Sequence, residues 1–322
     1  MKIFYTPDTR WDRYQISDEE EFAEKLIIEG VFHQEVPEDV IEAYETSEYL
    51  MAHSYYHWPM YDEALNKVLL TMEMGIKLKA KELDIPIFRK KNGKRWERRL
   101  SLIIEDICNT DFLSNLKQKL DRLAGLRDMQ VHPKQNSFSG PMGGIIRNIK
   151  YCINVLNLLF RNKEWHIKQH KRIEAFRQTL SHFKNHLLVI ENDKGANLVS
   201  SILDFNIIDN ALFVSCLPVL DVRKLKEDNQ GDILPNASIY KIKDYRLFNH
   251  YIEGNTQDGT KIRISVTDHD EAIEAFKNQQ EYLDNIADDE KRACVYLNAQ
   301  ESGWQLSEAE YQYFKKYGFS AN

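Results

Sequence analysis

Residues 113 to 133, LSNLKQKLDRLAGLRDMQVHP, decide how the chain is read. Leu113, Leu116, Leu120 and Leu123 recur at three- and four-residue intervals, which predicts one apolar stripe on a helix. Arg127 falls next on that stripe, and a guanidinium on a core-facing row is costly to bury unless an anion or a carboxylate meets it. Pro133 disfavours helical geometry at His132 and lacks a backbone donor, so the helix is expected to end near the histidine and leave its ring reachable. Residues four apart share a helix face, whereas residues five apart are rotated by roughly 140°. Asp128 can therefore touch His132 while Arg127 points elsewhere. One phosphate meets both Arg127 and His132 only if the helix end unwinds, or if two copies of the chain join their motifs at a two-fold axis.

These residue types suit metal-free phosphodiester chemistry. Histidine titrates near neutrality, so it can take the proton of a ribose 2′-hydroxyl or return one to a leaving 5′-oxygen, while a guanidinium meets the charge on the phosphorus oxygens. Asp128 would orient the imidazole. The bland alternative is a helix-end ion pair between Arg127 and Asp128, with His132 as a partly exposed capping residue.

In its context, Leu126-Arg127-Asp128-Met129-Gln130-Val131-His132-Pro133 closes one helix ahead of a loop and a long final helix. That run resembles the signature of the HEPN (higher eukaryotes and prokaryotes nucleotide-binding) superfamily, over roughly residues 40 to 190. The family pattern is an arginine, then commonly a polar residue, then a histidine after four to six intervening positions, and Arg127, Asp128 and His132 match it with four between. The resemblance implies a helical bundle that dimerises through the signature, and an endoribonuclease that needs no metal and no cofactor. It further implies Arg127, Asp128 and His132 as catalytic residues, with tRNA or mRNA as substrate. A cytoplasmic toxin or antiviral-defence effector, with a protein antitoxin or sensor as partner, is the role it suggests. The alternative from the same resemblance is a non-catalytic HEPN-like module that binds nucleotides, RNA or a protein.

The other stripes predict a mainly α protein. Leu65, Val68, Leu69, Met72, Ile76 and Leu83 mark one helix, and Leu100, Ile103, Ile104 and Ile107 a second. Ile145, Ile149, Cys152, Ile153, Leu156 and Leu159 mark another; Ile173, Phe176, Leu180, Phe183 and Leu187 continue it or follow a break near residue 162. The expected organisation is an acidic extension over 1–40, a HEPN-like bundle over 41–190 and a smaller α+β accessory module over 195–322. In that last module, 198–203, 211–219, 238–248 and 261–267 read as strands, and helices are expected near 269–286 and 306–317.

Charge is unevenly distributed. Residues 64 to 190 hold 25 Lys and Arg against 11 Asp and Glu, within a chain of net charge −7, which is the footprint of a phosphate-rich ligand. Arg89, Lys90, Lys91, Lys94, Arg95, Arg98 and Arg99 surround Trp96 in what reads as an exposed RNA-binding loop between helices. A second basic stretch runs from Arg161 to Lys184. Asp268 to Glu290 holds nine acidic residues and one lysine, read as a solvated helix face, or otherwise as a nucleic-acid mimic.

His53 with His57, His166 with His170 and His182 with His186 stand at a spacing that could share a metal, but nothing nearby completes a ligand set, so no metal is expected. His166, His170, His182 and His186 read as solvated or RNA-facing, and His53 and His57 as part of a packed aromatic cluster. Four cysteines without a Cys-x-x-Cys pair suit free thiols in a reducing cytoplasm. Neither a leader nor a membrane span is read, and phosphate-loop and nucleophile-elbow motifs are missing.

Overall fold

The computed structural model describes residues 4–110, 112–131, 144–222 and 235–319. The chain forms two compact units, one of residues 1–167 with 311–322, the other of residues 168–310.

The first unit begins with a 3-10 turn (Thr9–Tyr14) and α1 (Glu19–Leu26), whose N-terminus is capped by the Asp18 carboxylate on the Glu21 amide at 2.8 Å. α2 (Glu38–His53) precedes α3 (Met60–Glu82), on which Leu65, Val68, Leu69, Met72 and Ile76 are all at most 2 % exposed. A helix buried along that whole stripe is the axis on which the others pack. They are α4 (Leu100–Cys108), α5 (Lys117–Val131) and α6 (Ile145–Phe160). Leu113, Leu116, Leu120 and Leu123 are buried, Leu116 closing a short 3-10 turn (Ser114–Leu116) ahead of α5 and Leu113 preceding it. Between α3 and α4 the chain forms a two-stranded ribbon, β1 (Phe88–Lys91) and β2 (Lys94–Glu97).

Two local devices fix this unit. Trp11 packs between Phe22, edge-on at 4.7 Å, and a tilted Trp58 at 4.3 Å, and donates its indole N–H to the Ser54 carbonyl. On α6, Asn157 holds the incoming chain: its amide donates to the Val31 carbonyl and its side-chain oxygen accepts from the His33 amide. Tyr311, on the returning C-terminal segment, donates to the Glu29 carbonyl at 2.8 Å.

In the second unit, α7 (Lys163–Phe183) leads into six antiparallel strands that close into a barrel in sequence order. They are β3 (Leu188–Asn192), β4 (Gly195–Ile208), β5 (Ala211–Pro218), β6 (Ser238–Leu247), β7 (Tyr251–Asn255) and β8 (Lys261–Val266), with β8 pairing back on β3. Alternation explains the inside: Leu188 and Ile190, then Ile262 and Ile264, are buried, while Lys261 and Arg263 are exposed. Phe176 and Phe183 of α7 belong to that barrel core, with Ile173 and Leu180 packed against it. α8 (Asp270–Asp284) and α9 (Asp288–Tyr317) follow. None of the described helices is long and apolar enough to cross a membrane.

The expected mainly α fold is corrected here. Helix makes up 56 % of the structure, but the closed six-stranded barrel and the separate small sheet make this an α+β protein. The stripe Ile173, Phe176, Leu180 and Phe183, read as the last helix of a bundle, is instead the helical side of the barrel core. An amphipathic stripe reports that a face is buried, and is silent on whether a helix or a sheet buries it.

Gly75 marks a close approach of α3 to α6, since a Cβ built there would lie 2.7 Å from Leu156 Cδ2 of α6. Gly75→Val should therefore cost about 1–3 kcal/mol of stability through overpacking, measurable as a lower denaturant midpoint with an unchanged slope.

Candidate functional site

Arg127 lies four residues before the end of α5, its side chain 25 % exposed. The anion that its place on the stripe demands is Glu73 of α3: Arg127 Nε is 2.7 Å from Glu73 Oε2, both atoms buried and too poorly aligned for a directed hydrogen bond. The pair is therefore an ion pair with its hydrogen-bonding capacity incompletely used. On the exposed side, Arg127 Nη1 donates to Asp128 Oδ1 at 2.8 Å. Asp128, then Glu73, hold the guanidinium above its already high ordinary value, against the opposing effect of burial. Arg127 Nη2 enters neither ion pair.

The network continues outward. Glu73 Oε1 receives Lys77 Nζ at 2.5 Å, and Lys77 also pairs with Glu97 at the end of β2. Burial opposes the charge on Lys77, but these two carboxylates outweigh it and raise its proton affinity. A chain of alternating charge thus runs Arg127, Glu73, Lys77, Glu97, from the end of α5 to the ribbon. Sequence reasoning missed Glu73 and Lys77, although a carboxylate between Met72 and Ile76 on a buried stripe was a readable signal.

The basic run expected to be a loop is a β-ribbon. Asn92 and Gly93 both have positive φ, 52° and 73°, which is the type I′ turn that matches strand twist. Its register sorts the predicted RNA-binding residues by face, with Arg89 opposite Trp96, Lys90 opposite Arg95 and Lys91 opposite Lys94. Arg95 stacks its guanidinium 3.8 Å from the Phe88 ring centroid. Arg98 is structural: it donates to the Pro86 carbonyl and pairs with Asp106 at 2.6 Å. Arg99 stands exposed at the start of α4.

His132, Pro133 and Lys134 lie outside the described residues, so the structure places Arg127 and Asp128 but not the histidine of the motif. Of the paired histidines, His170, His182 and His186 are exposed, but His166 corrects the expectation of a solvated ring. It is 6 % exposed, between Phe112 and Trp165. α7 ends at Phe183, so His182 and His186 do not share a helix. His53 and His57 are exposed at the end of α2, while Tyr55, Trp58 and Tyr61 pack inward. Among the described residues no group of three His, Cys, Asp or Glu could hold a metal ion.

Other candidates are weaker. Burial raises the thiols of Cys108, Cys152 and Cys216 to about 11, 12 and 12, which leaves them protonated at neutral pH. A cleft of about 610 Å³ on the barrel is lined by charges that alternate across β3, β8, β7 and β6. There Glu191 faces Arg263, Arg263 faces Glu253 and Glu253 faces Arg246, an arrangement that compensates itself. All nine carboxylates of residues 268–290 are exposed. Comparison of the chain with models of known families, with characterised proteins and with solved structures finds no match.

Burial, then the Lys79 charge, pushes His166 down to about 4 from the ordinary 6.5, and burial lowers His33 as well. The unfolded chain therefore binds protons that the folded state refuses. Stability should be complete above pH 6.5 and fall as pH drops toward 4, by about 1–2 kcal/mol at pH 5.5 for His166. Denaturant titrations across this interval should give a shallower pH slope for His166→Gln, whatever its effect on absolute stability. An identical slope would contradict the assignment.

Proposed function

We propose that the protein is a metal-independent endoribonuclease whose reaction centre is built on Arg127 and His132. The observation that carries this reading is a partly exposed guanidinium fixed near a helix end by Glu73 and Asp128, five residues before a histidine that directly precedes a proline in the sequence. In the proposed reaction the ribose 2′-oxygen attacks the adjacent phosphorus and the bond to the 5′-oxygen breaks. One imidazole accepts the 2′-hydroxyl proton and a protonated one supplies the leaving oxygen, giving a 2′,3′-cyclic phosphate and a 5′-hydroxyl. The role of Arg127 is to place donors on the phosphorus oxygens as charge gathers there.

Two imidazoles per cut favour a homodimer that brings two motifs together, in agreement with the resemblance to HEPN nucleases. The surroundings of Arg127 suit such a contact. Met129 is 72 % exposed in the same turn of α5, and Leu70, 49 % exposed, shares the α3 stripe of Glu73 and Lys77. RNA, as tRNA or mRNA, is the proposed substrate, and a cytoplasmic toxin or antiviral-defence role the proposed setting, with a protein antitoxin or sensor as a further partner.

A second reading rests on the same ion pairs. Because Arg127 is already compensated by Glu73 and Asp128, the motif could serve a non-catalytic HEPN-like module, with Arg127 holding α5 to α3.

Incubation of the purified full chain with end-labelled tRNA and mRNA in EDTA separates the two. The nuclease reading expects wild-type cleavage with cyclic-phosphate ends, reduced about 100-fold or more in His132→Ala and in Arg127→Ala. Cleavage that persists in His132→Ala, or that requires added metal, would sink the histidine mechanism. Loss of folding stability in Arg127→Ala, with no RNA cleavage by a well-folded wild type, would support the binding module.

A further inference from the structure

We infer that one face of the β1–β2 ribbon is a docking surface for unpaired nucleic-acid strands, in which a base stacks on Trp96 and Arg89 and Lys94 hold the flanking phosphates. This deepens the ribonuclease reading by naming the element that captures substrate, and it rests on observations independent of the catalytic motif.

The ribbon has two faces with different commitments. Phe88, Lys90, Arg95 and Glu97 share one of them. There Arg95 covers the Phe88 ring at 3.8 Å and Glu97 is tied to Lys77 of α3, so that face carries the tether and has no free aromatic surface beside its remaining cation, Lys90. Arg89, Lys94 and Trp96 lie on the other. Trp96 is 55 % exposed, and among the described residues it has no ring contact, while neither Arg89 nor Lys94 has an ion-pair partner. An indole left in water beside two uncompensated cations has no structural reason to be there, because the ribbon would be equally well formed with a polar residue at that position.

The chemistry of the face selects its ligand. Arg89 stands directly across from Trp96 and Lys94 two residues before it on the same strand, so the ring is flanked by a cation on each of two sides. An indole offers a flat apolar surface and no acceptor, which fits the π-face of any base. A duplex hides those faces inside its stack, whereas an extended strand presents them with a phosphate on either side. A phosphate-free apolar partner would leave both cations desolvated without compensation. The turn makes the surface rigid, since Asn92 and Gly93 adopt the positive φ values that hold β1 and β2 in register. Glu97, on the opposite face of β2, begins the ion-pair chain that reaches Arg127, which ties the ribbon to the helix that carries the motif.

A labelled oligodeoxythymidine tests the surface apart from catalysis, because it lacks the 2′-hydroxyl that the proposed cleavage needs. Its binding to the full-length protein would be followed by anisotropy over a range of salt concentrations. Trp96→Ala should weaken it about tenfold without changing the slope of log K against log salt, and Trp96→Phe should restore most of the loss. Arg89→Ala and Lys94→Ala should each reduce the slope by about 0.7, the contribution of one phosphate contact on a single strand. Arg95→Ala, on the tethered face, should leave affinity and slope near wild type. A wild type that fails to bind, a duplex that binds as tightly as the single strand, or equal losses from Arg95→Ala and Trp96→Ala would each overturn the inference. Binding with this pattern but without RNA cleavage would sink the nuclease reading alone. RNA cleavage with an unchanged KM in Trp96→Ala would sink the docking face alone.

Discussion

A guanidinium at the edge of a helical core needs a carboxylate, and much of the first unit is arranged around meeting that need. Arg127 is carried toward α3 by the same stripe that buries Leu116, Leu120 and Leu123, and Glu73 is the group that makes its position tolerable. Glu73 in turn lies between two cations, Arg127 and Lys77, so its own charge is more than compensated. The surplus passes to Lys77 and from there to Glu97, which fastens a ribbon too short to be stable alone. Removing Glu73 would take from Arg127 its only carboxylate on α3, leaving the exposed Asp128, and would leave Lys77 with Glu97 alone. The cost of such a loss usually exceeds what the intact pair contributes.

The second unit obeys a different constraint. Six strands of five to fourteen residues would expose two hydrogen-bonding edges if they formed an open sheet, and pairing β8 with β3 removes both. Closure leaves the barrel needing only an apolar interior. Alternating residues on the strands supply it, together with Phe176 and Phe183 of α7. Two polar groups on the same helix fix its position on the barrel. Gln169 donates to the Ile207 carbonyl at 2.5 Å and Arg172 to the Asp209 carbonyl at 2.8 Å.

These constraints explain what could be read from the sequence. Helical stripes are local, and α3, α4, α5 and α6 fall where the apolar spacing puts them. The break between α6 and α7 lies at Arg161 and Asn162, where the pattern stumbles. β3 was hidden because Leu187 and Leu188 continue the helical spacing from Phe183, and only the Gly195 hairpin marks the change to a period of two. Barrel closure joins Leu188 to Val266, a pairing that no local pattern reveals. The ribbon was legible, since Asn-Gly between two exposed runs is a strong hairpin signal, but the density of positive charge favoured a loop reading. At the site the arginine announced its need for an anion, while the identity of that anion depended on how α3 and α5 cross.

The positive block from residue 64 to 190 also needs to be divided before it is taken as a measure of ligand charge. Arg161 is 5 % exposed and its guanidinium lies over the Trp165 and Phe319 rings. Lys79, 3 % exposed, pairs with Glu82, Arg98 pairs with Asp106, and Arg172 is committed to the β4–β5 turn. Each of these cations completes the fold and has little left to offer a phosphate. A count of lysine and arginine treats them as equal to Arg89 and Lys94, which stand in solvent without partners among the described residues. Structural cations tend to sit beside carboxylates or aromatic rings, as these do, and they cancel locally. Exposed lysines such as Lys168, Lys171 and Lys184 are spread along α7 and just beyond it, whereas Arg89 and Lys94 share a short ribbon with an exposed indole, and a concentrated charge beside an aromatic surface recognises a strand far better than the same charge spread over a domain.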